Sequence, residues 1–153
     1  MNSALRLAAL ALAVVSLSAC ASGAAKDEHW VQLKGKRFVV ELADDDAERE
    51  RGLMFRTDMA ADHGMLFVHD AEDIQAYWMK NTKIPLDIIY FDHDRKLVSV
   101  AHAPPCTLGD RCPPFPSDGP ALYVLELNAG SADALGAKPG DVLELDPGIK
   151  LPK

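Results

Sequence analysis

The chain has 153 residues, with 23 acidic and 16 basic side chains and a formal net charge of −7. A chain of this length holds one domain. The acidic balance, with no basic stripe, excludes nucleic acid or an anionic membrane surface as a partner held by charge.

The amino terminus reads as a targeting segment. Arg6 precedes the apolar run LAALALAVVSLSA, which is too short for a permanent bilayer span. The run ends in Leu17-Ser18-Ala19-Cys20, which resembles the lipobox of bacterial lipoproteins. The resemblance implies residues 1–19 as a signal peptide and Cys20 as the lipidated residue of the mature chain. Several acyl chains on one residue hold a protein firmly to a membrane. Ala21, in place of an aspartate, resembles lipoproteins sent to the outer membrane, facing the periplasm. The membrane is then a partner through the lipid alone. Residues 20–29 read as a short, small and polar tether, and residues 30–153 as a single β-rich domain.

VQLKG and RFVVELA, with Gly35-Lys36 between them, suggest a hairpin. DDDAERERG then switches to helical character: Asp45 is placed to cap, Glu48 follows three residues later, and Gly52 suits the end. GMLFVHD, IQAYWMK, LDIIYFD and KLVSVAHA read as four strands, the last two joined by an Asp-rich turn. LDIIYFD has apolar residues on both faces, Leu86, Ile88 and Tyr90 against Ile89 and Phe91, so it belongs inside the fold.

The next segment, PPCTLGDRCPPFP, holds Cys106 and Cys112. With Cys20 assigned to lipid, an even pair in an oxidising compartment argues for a disulfide; a metal site or free thiols are the alternatives. ALYVLELN is another strand, SADALG a single helical turn, and KPGDVLELD a Pro-Gly turn feeding a last strand. Seven or eight strands with one or two short helices predict a mainly β fold. We expect a compact, jelly-roll-like antiparallel β-sandwich or a flattened barrel.

In this order, RGLMFR (51–56), GMLFVH (64–69), YWMKNTKIPLDIIYFD (77–92), PPC with a second Cys six residues on, YVLEL (123–127) and LGAKPGD (135–141) resemble the domain of unknown function 192 family, also called uncharacterised protein family 0127. The resemblance spans about residues 30–146 and implies a compact β-rich domain of jelly-roll character. It brings no established activity.

Seven polar or aromatic side chains stand out as ligand-binding candidates: Arg51, Arg56, Trp78, Lys80, Asn81, Asp87 and Glu126. In strands, Asp87 shares a face with Ile89 and Phe91, and Glu126 with Leu122 and Val124. A carboxylate on a buried face must be paired or hydrogen-bonded. Two readings stand side by side: an ion-pair network in which Arg51, Arg56 and Lys80 neutralise the acids, or a concave site where Trp78 stacks a ligand ring. We expect a binding or accessory module for a small polar or glycan ligand, or for a partner protein. The alternatives are an envelope hydrolase using Asp87 and Glu126, or a structural interaction protein with an exposed apolar patch. Met54, Met59 and Met65 around His63 and His69 lack the clustered spacing of copper carriers, and Asp92-His93-Asp94 lacks the rest of a calcium loop. Neither a metal nor a cofactor is expected.

Overall fold

The structure is a computed structural model that describes residues 29–152. The expected signal peptide, Cys20 and almost all of the tether lie outside the described residues. Strand β1 (His29–Leu33) turns through Lys34 and Gly35, both at positive φ, into β2 (Lys36–Ala43). The reversal thus falls one residue before the expected Gly35-Lys36, because a two-residue turn of this hand needs positive φ at both positions.

Helix α1 (Asp46–Arg51) begins at Asp45, whose carboxylate accepts the Glu48 N–H at 2.8 Å. Glu48 in turn accepts the Asp44 N–H. The helix ends at Gly52, with φ of 43° and its N–H on Glu48 O. The chain continues into β3 (His63–Asp73), β4 (Ala76–Trp78), β5 (Leu86–Phe91) and β6 (Leu97–Ala103). After the cysteine loop come β7 (Pro114–Pro116), β8 (Ala121–Asn128), α2 (Ser131–Leu135) and β9 (Leu143–Leu145).

Seven strands form one curled sheet in the order β6-β5-β8-β3-β2-β1-β9, a half-barrel, and β4 with β7 forms a separate ribbon. Neighbours run antiparallel except β2 and β3, which are parallel because α1 carries the chain back to the same end. The sheet's two edges approach each other through the Lys96–Val142 bridge and a 2.7 Å bond from Leu97 N–H to Asp141 O. Drawing the edges together leaves little unpaired strand to recruit another chain.

All six residues of β5 are buried, as expected for a strand covered on both sides. Ile89 and Phe91 join Val31, Phe38, Leu125 and Leu127 in the core on one face, which draws residues from β1 through to β9. Leu86, Ile88 and Tyr90 lie on the other face with Leu53, Phe67, Met79 and Val124. That second core is covered by the turn after α1 and by the β4–β7 ribbon, whose Tyr77 and Phe115 pack against it. Gly64 explains how β3 and β8 come so close. A Cβ there would stand 2.6 Å from the Glu126 carbonyl oxygen and from the Leu127 side chain.

IQAYWMK forms a shorter strand than expected. Regular pairing stops at Trp78, because Met79 O accepts the Thr82 N–H and Asn81 takes φ of 59°. Lys80, inside the expected strand IQAYWMK, therefore sits in the turn and not on the strand with Trp78. It nevertheless ends near Trp78, with its ammonium 4.9 Å from the ring centroid.

Candidate functional site

Asp87 and Glu126 lie on adjacent strands and opposite faces. In the ladder, Asp87 stands opposite Leu127 and Glu126 opposite Ile88, so the sheet separates the two carboxyls. They cannot flank one scissile bond, and the expected acid–base pair is corrected on that ground.

Asp87 is completely buried. Its Oδ1 is 2.8 Å from His102 Nδ1, and its Oδ2 accepts the Ala132 N–H at 2.8 Å. A carboxylate only accepts, so the His102 proton sits on Nδ1. The bond to Asp87 holds the His102 pKa above its ordinary value. The Ala132 contact supplies what the sequence of α2 lacks: its N-cap is Gly130, with no side chain to offer. Asp87 is a tertiary helix cap, and Lys80 is not its partner.

Glu126 is buried in a different way. It retains 4% of its surface, and desolvation alone pushes its carboxyl up to about 8. No hydrogen bond or cation offsets that burial. Among the described residues no fully enclosed side-chain oxygen lacks a partner, so the Glu126 carboxyl keeps contact with open space. That space is a small hollow of about 30 Å³, walled by Phe67, Tyr77, Trp78, Lys80 and the Arg51-Gly52 turn and able to hold a group the size of a water. Beneath it, Tyr77 packs edge-on against Phe67 and Tyr90, with centroids 4.9 and 6.2 Å apart. Burial raises both tyrosine pKa values, with nearby Glu126 adding to each. The Tyr77 hydroxyl is 2.9 Å from His69 Nε2, and the Tyr90 hydroxyl donates to Phe115 O.

A larger hollow of about 510 Å³ adjoins the first, lined by Glu41, Glu48, Phe55, Arg56 and Met65. The two share Arg51, Gly52 and Met54. The segment RGLMFR is thus the partition between them. Its shape depends on Gly52, whose positive φ strains any L side chain and where a Cβ would stand 3.3 Å from the Phe67 ring. Phe55, also at positive φ, donates its N–H to Asn81 O at 2.8 Å. This bond ties the partition to the turn carrying Lys80. Phe55 and Trp78 are 62% and 41% exposed, so each hollow has an open aromatic at its edge.

Of the seven candidates, Arg51, Trp78, Lys80 and Glu126 line the small hollow, while Arg51 and Arg56 line the larger one. Asn81 lies beside the partition, its amide 3.9 Å from Met54 Sδ. Asp87 stands apart on the far face. The expected network of Arg51, Arg56 and Lys80 with the two acids does not form. Arg56 pairs with Glu41, Lys80 with Asp110, and Arg51 pairs with no carboxylate among the described residues. The arginine that ties α1 to the sheet is Arg49, bonded to Val68 O at 2.7 Å, Asp46 at 2.7 Å and Asp70 at 3.1 Å. Its three-residue spacing from Asp46 was a usable sequence signal. Asp110 reaches Lys80 because the Cys106–Cys112 disulfide closes its loop and β7 holds that loop to β4.

The DUF192 family, described as "Uncharacterized ACR", matches residues 29–145. This chain belongs to that family. A crystal structure from Sinorhizobium meliloti 1021, provisionally described as a transcription regulator, is 40% identical, with a TM-score of 0.70 over 77% of this chain and 93% of that one. A protein of unknown function from Novosphingobium aromaticivorans is 43% identical, with a TM-score of 0.67 over 75% and 83% of the two chains. No curated protein matches the chain. The DUF192 domain here is therefore a curled β-sheet with two adjoining hollows on one face.

Proposed function

We propose that this DUF192 protein is a binding module of the cell envelope, anchored through lipid on Cys20 at the outer membrane and facing the periplasm. Its ligand is small and polar, with a sugar-like ring, and lies across Arg51 between the two hollows. Glu126 carries the reading: a buried carboxyl with no hydrogen-bond or ionic partner among the described residues, opening onto a hollow that takes one polar group. Such a group costs stability wherever a partner is lacking, and a ligand hydroxyl supplies one. A protonated carboxyl donates one hydrogen bond and accepts others, as a hydroxyl does. Trp78 offers an open ring face beside it, and the larger hollow takes the body of the ligand. The net charge of −7 and the absence of a basic stripe give no support to nucleic acid as the ligand.

The anchor is tested by metabolic labelling with palmitate, which marks the wild type and not Cys20→Ser. Label on neither would sink the localisation. The binding site is tested with mono- and disaccharides titrated against Trp30→Phe protein, in which Trp78 is the remaining tryptophan. Saturable quenching, weakened at least about tenfold by Glu126→Leu and largely kept by Glu126→Gln, which still donates and accepts, is the expected outcome. Binding that ignores both Glu126→Leu and Arg51→Ala would place the site elsewhere.

A further inference from the structure

We infer that the ligand is acidic, a sugar bearing a carboxylate, and that Asp110 occupies the position its carboxylate takes on Lys80. The inference rests on the cleft reading above and adds the chemical class of the ligand. Lys80 stands at the hollow's edge with its ammonium 4.9 Å from the Trp78 centroid, and its carboxylate partner is Asp110. That carboxylate is carried in from outside the cleft, on the three-residue turn Gly109–Arg111 at the tip of the disulfide loop. Its side chain is 81% exposed, so the pair is open to water on one side. Exposed pairs of this kind contribute little to stability, and an incoming anion displaces them at little cost.

Arg51 adds a second cation, unpaired among the described residues, on the wall shared by both hollows. Arg49 and Arg56 are held by carboxylates of α1, β2 and β3, whereas Arg51 pairs with no carboxylate among the described residues and Lys80 is held by Asp110 of the disulfide loop. Glu126, kept protonated near neutral pH by its burial, does not repel an anion there. Glu50 also lines the small hollow and Glu41 and Glu48 the larger one, so the preference for an anion rests on Lys80 and Arg51 themselves and not on the net charge of the lining. Asp110 thus acts as a built-in competitor: its side chain neutralises Lys80 and gives way when a ligand carboxylate arrives.

The test compares D-glucuronate with D-glucose on Trp30→Phe protein, reading Trp78 fluorescence, alone and with Asp110→Asn or Lys80→Gln. Glucuronate should bind about fivefold more tightly than glucose. Asp110→Asn should raise glucuronate affinity severalfold and leave glucose unchanged, and Lys80→Gln should abolish the preference. Affinity for glucuronate should also fall above about pH 8, where Glu126 ionises. Equal binding of the two sugars, or a glucuronate affinity that Asp110→Asn lowers, overturns the acidic class and leaves the cleft reading standing. Binding of neither sugar overturns both. Thermal melts of the two variants matching the parent show that the loop still folds.

Discussion

Two buried carboxyls, one strand apart, face opposite ways and lead different lives. Asp87 has both oxygens occupied, by an imidazole N–H and by a backbone amide of α2. Glu126 has no such partners among the described residues and opens on a hollow. Burial by itself therefore says little about the role of an acid; the count of satisfied oxygens separates a structural group from one that awaits a ligand.

Substitution tests that contrast from its strongest point. Asp87→Ala should destabilise the fold by about 3–5 kcal/mol, because it strands the Ala132 amide and removes the partner of His102. Urea unfolding measures this, and a loss below about 1 kcal/mol would mean that Asp87 is not a cap.

Glu126 should behave in the opposite sense. Its folded pKa of about 8 lies above the ordinary 4.5, so the folded state binds the proton more tightly. Stability then falls as pH rises from 4.5 toward 8. Glu126→Gln removes that dependence and should stabilise the protein by about 3 kcal/mol at pH 7, with little change near pH 4.5. Unfolding curves across this range that run parallel in variant and parent would remove the case for an unpartnered acid.

The strand contact beneath Glu126 comes next in size. Gly64→Ala forces a Cβ against backbone that cannot move aside freely, and should cost about 1–3 kcal/mol. Smallest of all, Arg51→Ala should change stability by no more than about 0.5 kcal/mol, since no ion pair among the described residues holds it. A larger loss would return Arg51 to a structural role.

Much of this was legible in the chain. The central burial of Leu86–Phe91, the Asp45 cap, the Cys106–Cys112 pairing and the family motifs follow from local chemistry and spacing. The partners of the charged residues were not legible. Counting back from the Asp92–Lys96 turn without a bulge would set Asp87 opposite Ala101; the irregularity after Tyr90 shifts the ladder by one and brings His102 there instead. Lys80 finds Asp110 only because a disulfide and a three-residue ribbon fold the loop back. Exposed Phe55 gave no signal, since its left-handed backbone is held by Asn81 from another turn.

The sequence by itself determined which residues face the core, where α1 is capped and which family the chain belongs to, because periodicity, turn chemistry and motif order act over a few residues. Only the tertiary structure decided that Asp87 and Glu126 face away from each other, with Glu126 alone opening on a hollow. Those outcomes turn on strand register and on loops that meet across long stretches of chain, and a shift of one residue reverses every side chain involved.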